Sequence, residues 1–448
     1  MTDYLDDLAE FAAELTYEQL SDSAKIAAQD VVMDTLGAIL SGSTLPENAN
    51  LANFAATYTG GGSSTLIGHG LRSLSTMAAL VNATSGVSQE LDEGSRLGGG
   101  HPSIHVLPGL LAVSEEIDST GKQFIEALVV GYEVCSRLGG ATIPRWNVHS
   151  HGIWGTPGTA AAVARLMGFN RQEMREVISL SASMSPANSW TPCFEGATIR
   201  NLYPGRSGMQ GILAVHAQRC GFTAIGDGPG DVYSTILAEG FNADQVVEGL
   251  GSDPLRIENN YFKFHACCLH NHAPLDAVGV LVSDANIGPG DIDWIKVTTN
   301  PMGERLRGAY PDTTLSAKFH IPYAIAASVV KGRSDASVFE PEVIADPEIK
   351  LLAERVTLEA DQEMTASRND YPSALVSIGL KDGRTITHSN GSHFGDYLNR
   401  RPHNELVEKF RRLSESAITE SRSENILESV RSLEKLPSVR VLTKLLAD

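Results

Sequence analysis

Residues Thr156–Leu166 are almost entirely small: Thr, Pro, Gly, Thr, four Ala or Val, then Ala, Arg and Leu. A helix this lean has little side chain to present to solvent. It belongs in an interior where other backbones pack closely against it. The chain carries 42 glycines and only 6% aromatic residues, so close helix–helix contact is expected elsewhere too. With 448 residues there is length for more than one domain and a large core.

Apolar residues recur at three- and four-residue spacing in Ala24–Leu40, with Ser23 or Asp22 as the expected N-cap and Gly42 as the expected stop. Further helices are expected over Ser73–Gly86, Val106–Ile117 (with Pro108 in its first turn), Lys122–Leu138 (ended by Gly139-Gly140) and Arg206–Arg219. From about residue 290 the pattern changes. Asp291–Thr299 is β-rich, Ser373–Leu380 alternates, and Lys381-Asp382-Gly383-Arg384 makes a hairpin turn before Thr385–His388. Helical patterns lie between these strands and return after about residue 400. The expected fold is therefore mainly α: a large helical domain built from both chain ends, residues 1–259 and 393–448, with a smaller inserted α+β lid domain at 260–392. The cleft between them is the default ligand site.

Lys and Arg total 35 against 54 Asp and Glu, a net charge of −19, which repels phosphate backbones and excludes general nucleic-acid binding. Five scattered cysteines, with no C-x-x-C pair, fit neither a disulfide framework nor a zinc ribbon. The N-terminal stretch is acidic and carries no signal-type apolar run, and no segment approaches the ~18–20 apolar residues of a membrane helix. A soluble cytoplasmic protein is expected, with no membrane partner. No G-x-G-x-x-G follows a strand, and neither a Walker A motif nor a G-x-S-x-G elbow is present.

Four segments concentrate chemistry. Glu90-Leu91-Asp92-Glu93-Gly94 leads through Gly98–Gly100 to His101-Pro102, which reads as an active-site loop with His101 as acid or base, or as a polar helix end and capped loop. His149-Ser150-His151 enters the small-residue helix, where the positive helix end favours a neutral imidazole. Two His at i and i+2 also suit a metal, but no third ligand sits at a recognisable spacing. Arg200 precedes another helix, as an anion site or an ordinary surface residue. The run from Tyr261 through Lys263, Cys267, Cys268 and His270 to His272 holds a candidate thiol, although small core residues are the preferred reading of such cysteines.

Together these segments resemble the MmgE/PrpD family over almost the whole chain. The matching residues include Asp34-Thr35-Leu36-Gly37, His101-Pro102, Gly131-Tyr132-Glu133, Gly155-Thr156-Pro157-Gly158, Tyr203-Pro204-Gly205, Lys263 with His272 and Asp276, and Pro322-Tyr323-Ala324. The resemblance implies a helical domain plus a lid, a homodimer, and no metal or organic cofactor. It places Glu90, Asp92, His101, His149 and Tyr323 in catalytic positions, and Arg200, Lys263, Cys268 and His272 in substrate-binding ones. Gly94 and Cys268 stand where the decarboxylase branch has Thr and His. These departures weigh against cis-aconitate decarboxylation. The implied activity is a cofactor-independent lyase on a small di- or tricarboxylate, of the 2-methylcitrate dehydratase kind. The alternatives are a dicarboxylate epimerase, a decarboxylase or a non-catalytic carboxylate-binding protein.

Overall fold

The computed structural model describes residues 3–366 and 374–447, so Ser373, the expected first residue of an alternating strand, lies outside the described residues. The protein is mainly helical, with small sheets. The elements that position the site are α1 (Asp22–Ser43), α2 (Ser75–Ser88), α3 (Pro102–Ile117), α4 (Gly121–Gly140), α5 (Gly155–Leu166), α6 (Leu202–Arg219), α7 (His272–Ala285), α8 (Ile321–Lys331) and α9 (His403–Ser414).

Helix α5 is the lean helix, and its residues from Gly155 to Ala164 are all buried. It packs against α4, α3 and α6. A Cβ on Gly131 of α4 would lie 2.7 Å from both the Gly158 carbonyl oxygen and the Ala162 Cβ, and one on Gly211 of α6 would lie 2.6 Å from the Thr159 Cβ. Side chains at these crossings would hold the backbones apart.

The same cause corrects two expected helix stops. Gly42 lies inside α1 because its Cα faces the Ser85 carbonyl of α2, 1.8 Å from where a Cβ would be. Gly139 and Gly140 are the last residues of α4 and receive the carbonyls of Gly98 and Leu97 at 2.1 and 2.5 Å from an added Cβ. The cap of α1 is Ser21, whose Oγ accepts the Ala24 N–H at 3.1 Å. Helix α3 starts at Pro102, which lacks an N–H and so suits a first helical position, and Pro108 lies within it.

Strands β1 (Ile292–Thr299), β2 (Val356–Ala360), β3 (Ala374–Leu380) and β4 (Thr385–Asn390) form one sheet in the order β4-β3-β1-β2. Its β1–β2 pair is parallel and the others antiparallel. Register pairs Ile295 with Ile378 and Val297 with Val376, all buried. Gly383, at φ +89°, supplies the left-handed residue of the expected hairpin turn. Helix α7 covers β3 and β4, and α8 packs on α7.

One apolar cluster draws on residues from Tyr4 to Ile257 and again from Leu406 to Leu446; a second draws mainly on residues from Ala266 to Leu380. Helix α9 reaches between early segments through one buried ammonium. Lys409 Nζ donates to Asp34 Oδ1 of α1 at 2.6 Å and to the Leu91 carbonyl at 2.8 Å.

Lys409→Met should destabilise the fold by about 3–5 kcal/mol, since it strands a buried carboxylate, and the added change Asp34→Leu should recover most of the loss. Urea titration measures both. Gly131→Val should lose ~3 kcal/mol or more from overpacking, whereas Gly279→Ala, on an exposed stretch of α7 with open space around it, should gain up to ~1 kcal/mol. A Gly131→Val protein as stable as wild type would contradict the close-packed seam.

Candidate active site

The chain leaves α2 through Glu90, which adopts a left-handed backbone at φ +55°. This conformation is uncommon for a residue with a side chain and concentrates at sites where surrounding contacts enforce it. It delivers Glu90, Asp92 and Glu93 into the interior, all three buried. A two-residue ribbon fixes the next step: Gly94-Ser95 pairs antiparallel with Asn260-Tyr261, bringing Lys263 alongside. Gly94 is required there, because a Cβ would sit 2.2 Å from the Tyr261 hydroxyl. This explains sterically why the position carries no threonine.

Lys263 Nζ lies 3.2 Å from Glu90 Oε2 and 3.2 Å from Asp92 Oδ1, with all three side chains buried. Arg200, from the 3₁₀ turn before α6, pairs its Nη1 with Glu90 Oε1, and its guanidinium lies over the Phe319 ring. Burial raises the cost of charging Asp92, but Lys263 and then His101 outweigh it and hold this carboxyl well below the usual range. Burial also opposes the charge on Lys263, yet Asp92 and Glu90 raise its pKa. A third cation adjoins the same loop. Lys318 is buried and donates to the Ser88 carbonyl at 3.2 Å and to Gln89 Oε1 at 2.8 Å.

Four imidazoles occupy the other wall. His101, at the N-cap of α3, places Nδ1 2.8 Å from the Glu93 carbonyl and 3.0 Å from Asp92 Oδ2. Both partners are acceptors, so Nδ1 carries a proton, and in the neutral ring the lone pair lies on Nε2. The His101 side chain is 12% exposed, against 0% for Asp92. His149 Nδ1 accepts the His151 N–H at 2.9 Å, so its neutral ring carries the proton on Nε2, which is buried and has no hydrogen-bond partner among the described residues. Trp190 packs on this ring with centroids 3.9 Å apart. Burial, and then Arg200 and His101, push His149 well below the ordinary imidazole range. The helix N-terminus invoked from sequence is six residues further on, at Gly155, so burial and cations are the cause rather than the helix end.

His151 stacks on His101, 11° from parallel with centroids 4.4 Å apart, and both its ring nitrogens are buried and unpartnered among the described residues. His105 donates Nδ1–H to the His101 carbonyl at 2.6 Å and accepts the Gly152 N–H on Nε2 at 2.8 Å. Ligand atoms of Asp92, His101 and His151 lie within 4.8 Å of one another, a donor set suited to a transition metal. The arrangement fits one poorly. Two rings stacked nearly parallel present their nitrogens side by side, whereas in-plane ligation of one ion requires them to converge, and Asp92 and the Glu93 carbonyl occupy His101 Nδ1.

The structure thus brings Glu90, Asp92, His101, His149, Arg200 and Lys263 together. Cys268 is buried beside them; burial first, and then Glu90, push its thiol up to about 12, so it is no nucleophile at neutral pH. His272 lies behind Lys263, its Nε2 3.2 Å from the Cys267 carbonyl and its ring edge-on to His265 and His393. The Tyr323 hydroxyl donates to the Val338 carbonyl at 2.5 Å, and its ring meets Tyr310 and Phe339, so its described contacts do not reach the imidazole cluster. Sequence reasoning weighed His151 only as a metal ligand and missed His105, Trp190 and Lys318. The i, i+4 spacing of His101 and His105 at a helix start was a readable signal. Trp190 and Lys318 meet the site only through tertiary contact.

The MmgE/PrpD N-terminal domain family matches residues 6–232, and the MmgE/PrpD C-terminal domain family matches residues 265–435. The chain is 26% identical over 450 residues to the cis-aconitate decarboxylase of Homo sapiens, covering 95% of this chain and 91% of that protein. It is 25% identical over 457 residues to the Mus musculus enzyme of that name, covering 96% and 91%. To an Aspergillus terreus cis-aconitate decarboxylase it is 23% identical over 475 residues, covering 98% and 95%. Matched by both family domains in tandem and aligned along nearly its full length with these relatives, the chain belongs to the MmgE/PrpD family.

Proposed function

We propose that this protein is a lyase acting on a small polycarboxylate by proton transfer at a carbon adjacent to a carboxylate, without a metal or organic cofactor. The observation that carries this reading is the Asp92–His101 pair, whose unprotonated Nε2 stands beside the buried cations Arg200 and Lys263 and the neutral donor His149.

A proton on such a carbon is weakly acidic, and its removal puts a second negative charge beside a carboxylate. The Glu93 carbonyl fixes the His101 tautomer by accepting from Nδ1–H, and the Asp92 carboxylate beside it stabilises the imidazolium, so Nε2 acts as base. Lys263 holds the carboxylate beside the reacting carbon and the charge that develops on it, Arg200 holds a second carboxylate, and His149 Nε2–H donates to the enediolate oxygen. When a hydroxyl lies on the next carbon, the C–H electron pair becomes a C=C bond as the C–O bond breaks. The proton held by His101 goes to the departing hydroxyl, and water leaves. When a carboxylate leaves instead, its C–C pair remains on carbon and protonated His101 delivers the proton there. Dehydration of a hydroxylated tricarboxylate is the favoured outcome, since Gly94 and Cys268 depart from the decarboxylase pattern; the cis-aconitate decarboxylases among the relatives support decarboxylation as the second. The segment 260–392, which contributes Lys263 and Lys318, acts as a lid that excludes water. Tyr323 braces that lid through Val338.

Proton NMR in D₂O with citrate-like hydroxy acids, cis-aconitate and amino dicarboxylates tests the reading. Loss of water or CO₂ with deuterium uptake is expected, and no exchange on any compound would overturn it. His101→Ala should lower kcat about 10²–10⁴-fold, and Lys263→Ala about 10²–10³-fold, each with the melting temperature monitored. Because His149 sits well below the ordinary imidazole range, it binds no proton as pH falls from 8 to 6. His149→Gln should therefore lower the rate without moving the acidic limb of the pH profile; a shifted limb would reassign the base.

A further inference from the structure

Arg200 and Lys263 are each paired with a carboxylate, but Lys318 is not. Its ammonium is buried and has two partners, the Ser88 carbonyl and Gln89 Oε1, both uncharged. An ammonium has three donors, and no carboxylate lies within ion-pair distance of this one among the described residues. Burial pushes the Glu93 carboxyl of the Glu90 loop up to about 8, so it is mostly neutral at pH 7, and Lys409 is paired with Asp34. The charges that remain are three cations, Arg200, Lys263 and Lys318, against two carboxylates, Glu90 and Asp92. An uncompensated buried cation is costly unless an anion joins it. Lys318 also reaches across from the segment that carries α8 to the end of α2, where the Glu90 loop begins. Glu90, Cys267, Arg200 and Lys263 all act on it electrostatically, so it shares the field of the same site.

We infer that Lys318 is a third substrate-binding cation, taking one carboxylate beyond those held by Arg200 and Lys263, and that the substrate is accordingly a tricarboxylate. This rests on the carboxylate-lyase reading above and sharpens its substrate class. The competing role is structural: an ammonium satisfying the carbonyl end of α2.

Tricarballylate and glutarate make the matched probes, because they differ by a single carboxylate. Calorimetric titration of the wild-type protein should show tricarballylate binding at least about tenfold tighter. Lys318→Met should weaken tricarballylate about tenfold or more, the scale of a charged hydrogen bond, while changing glutarate less than about twofold. Lys318→Arg should restore most of the preference. Burial, partly offset by Glu90, brings the Lys318 ammonium down to about 8, so it is mostly charged at pH 7 and mostly neutral at pH 9. The wild-type preference should therefore shrink as pH rises over that interval. Glu93, a buried carboxyl of the Glu90 loop pushed up to about 8, titrates over that interval too. Lys318→Arg, which stays charged at pH 9, should keep the preference nearly constant there, and this comparison stands even if Lys318→Met does not fold. Equal losses for both probes, or a preference insensitive to pH and substitution, would overturn the inference and leave the lyase reading intact. Binding of neither probe by the wild-type protein, with no turnover in the NMR panel, would sink both.

Discussion

The site is organised around one buried ammonium. Lys263 spans Glu90 and Asp92 at equal distances, and all three have left water. Each charge alone would be expensive in that interior, so the loop after α2 and the strand before Lys263 hold each other's conformation in place. The left-handed backbone at Glu90, the ribbon between Gly94-Ser95 and Asn260-Tyr261, and the Arg200 pair all depend on that contact. Lys409 fastens the same loop from behind through the Leu91 carbonyl, which ties helix α9 to the wall of the candidate site.

Environment divides the histidines by role. His101 touches a carboxylate and remains partly exposed, whereas His149 and His151 are sealed among cations and aromatic rings and stay neutral. One imidazole beside a carboxylate therefore stands next to others suited only to donating or accepting hydrogen bonds. The proton transfer proposed for this site would need this combination of a base and a fixed polar surround that meets the developing charge without reorganising.

Close backbone approach places these groups. Glycines at 42, 131, 139, 140 and 211 stand where a methyl group would strike a neighbouring backbone or side chain, and Gly152 turns the chain at φ +98° so that its N–H meets His105. Several of these glycines look like helix stops in the sequence. They serve as contact points, because a helix can continue through glycine when tertiary packing compensates for its lower propensity.

The sequence by itself determined the mainly helical class, the burial of α5, the strands around the Gly383 turn and most of the residues that meet at the site. Apolar spacing, small-residue runs and clustered polar groups are local properties, legible over a few turns. Tertiary structure alone decided which histidine faces a carboxylate, which tautomer each ring takes, that the Tyr323 hydroxyl turns to Val338, and that Lys318 stands uncompensated beside Glu90. Each of those depends on a partner distant in the chain: the Lys263–Asp92 contact spans 171 residues and the Lys318–Gln89 contact 229. Periodicity carries no information at such separations. Proton position and charge balance are fixed only when distant segments pack and exclude water.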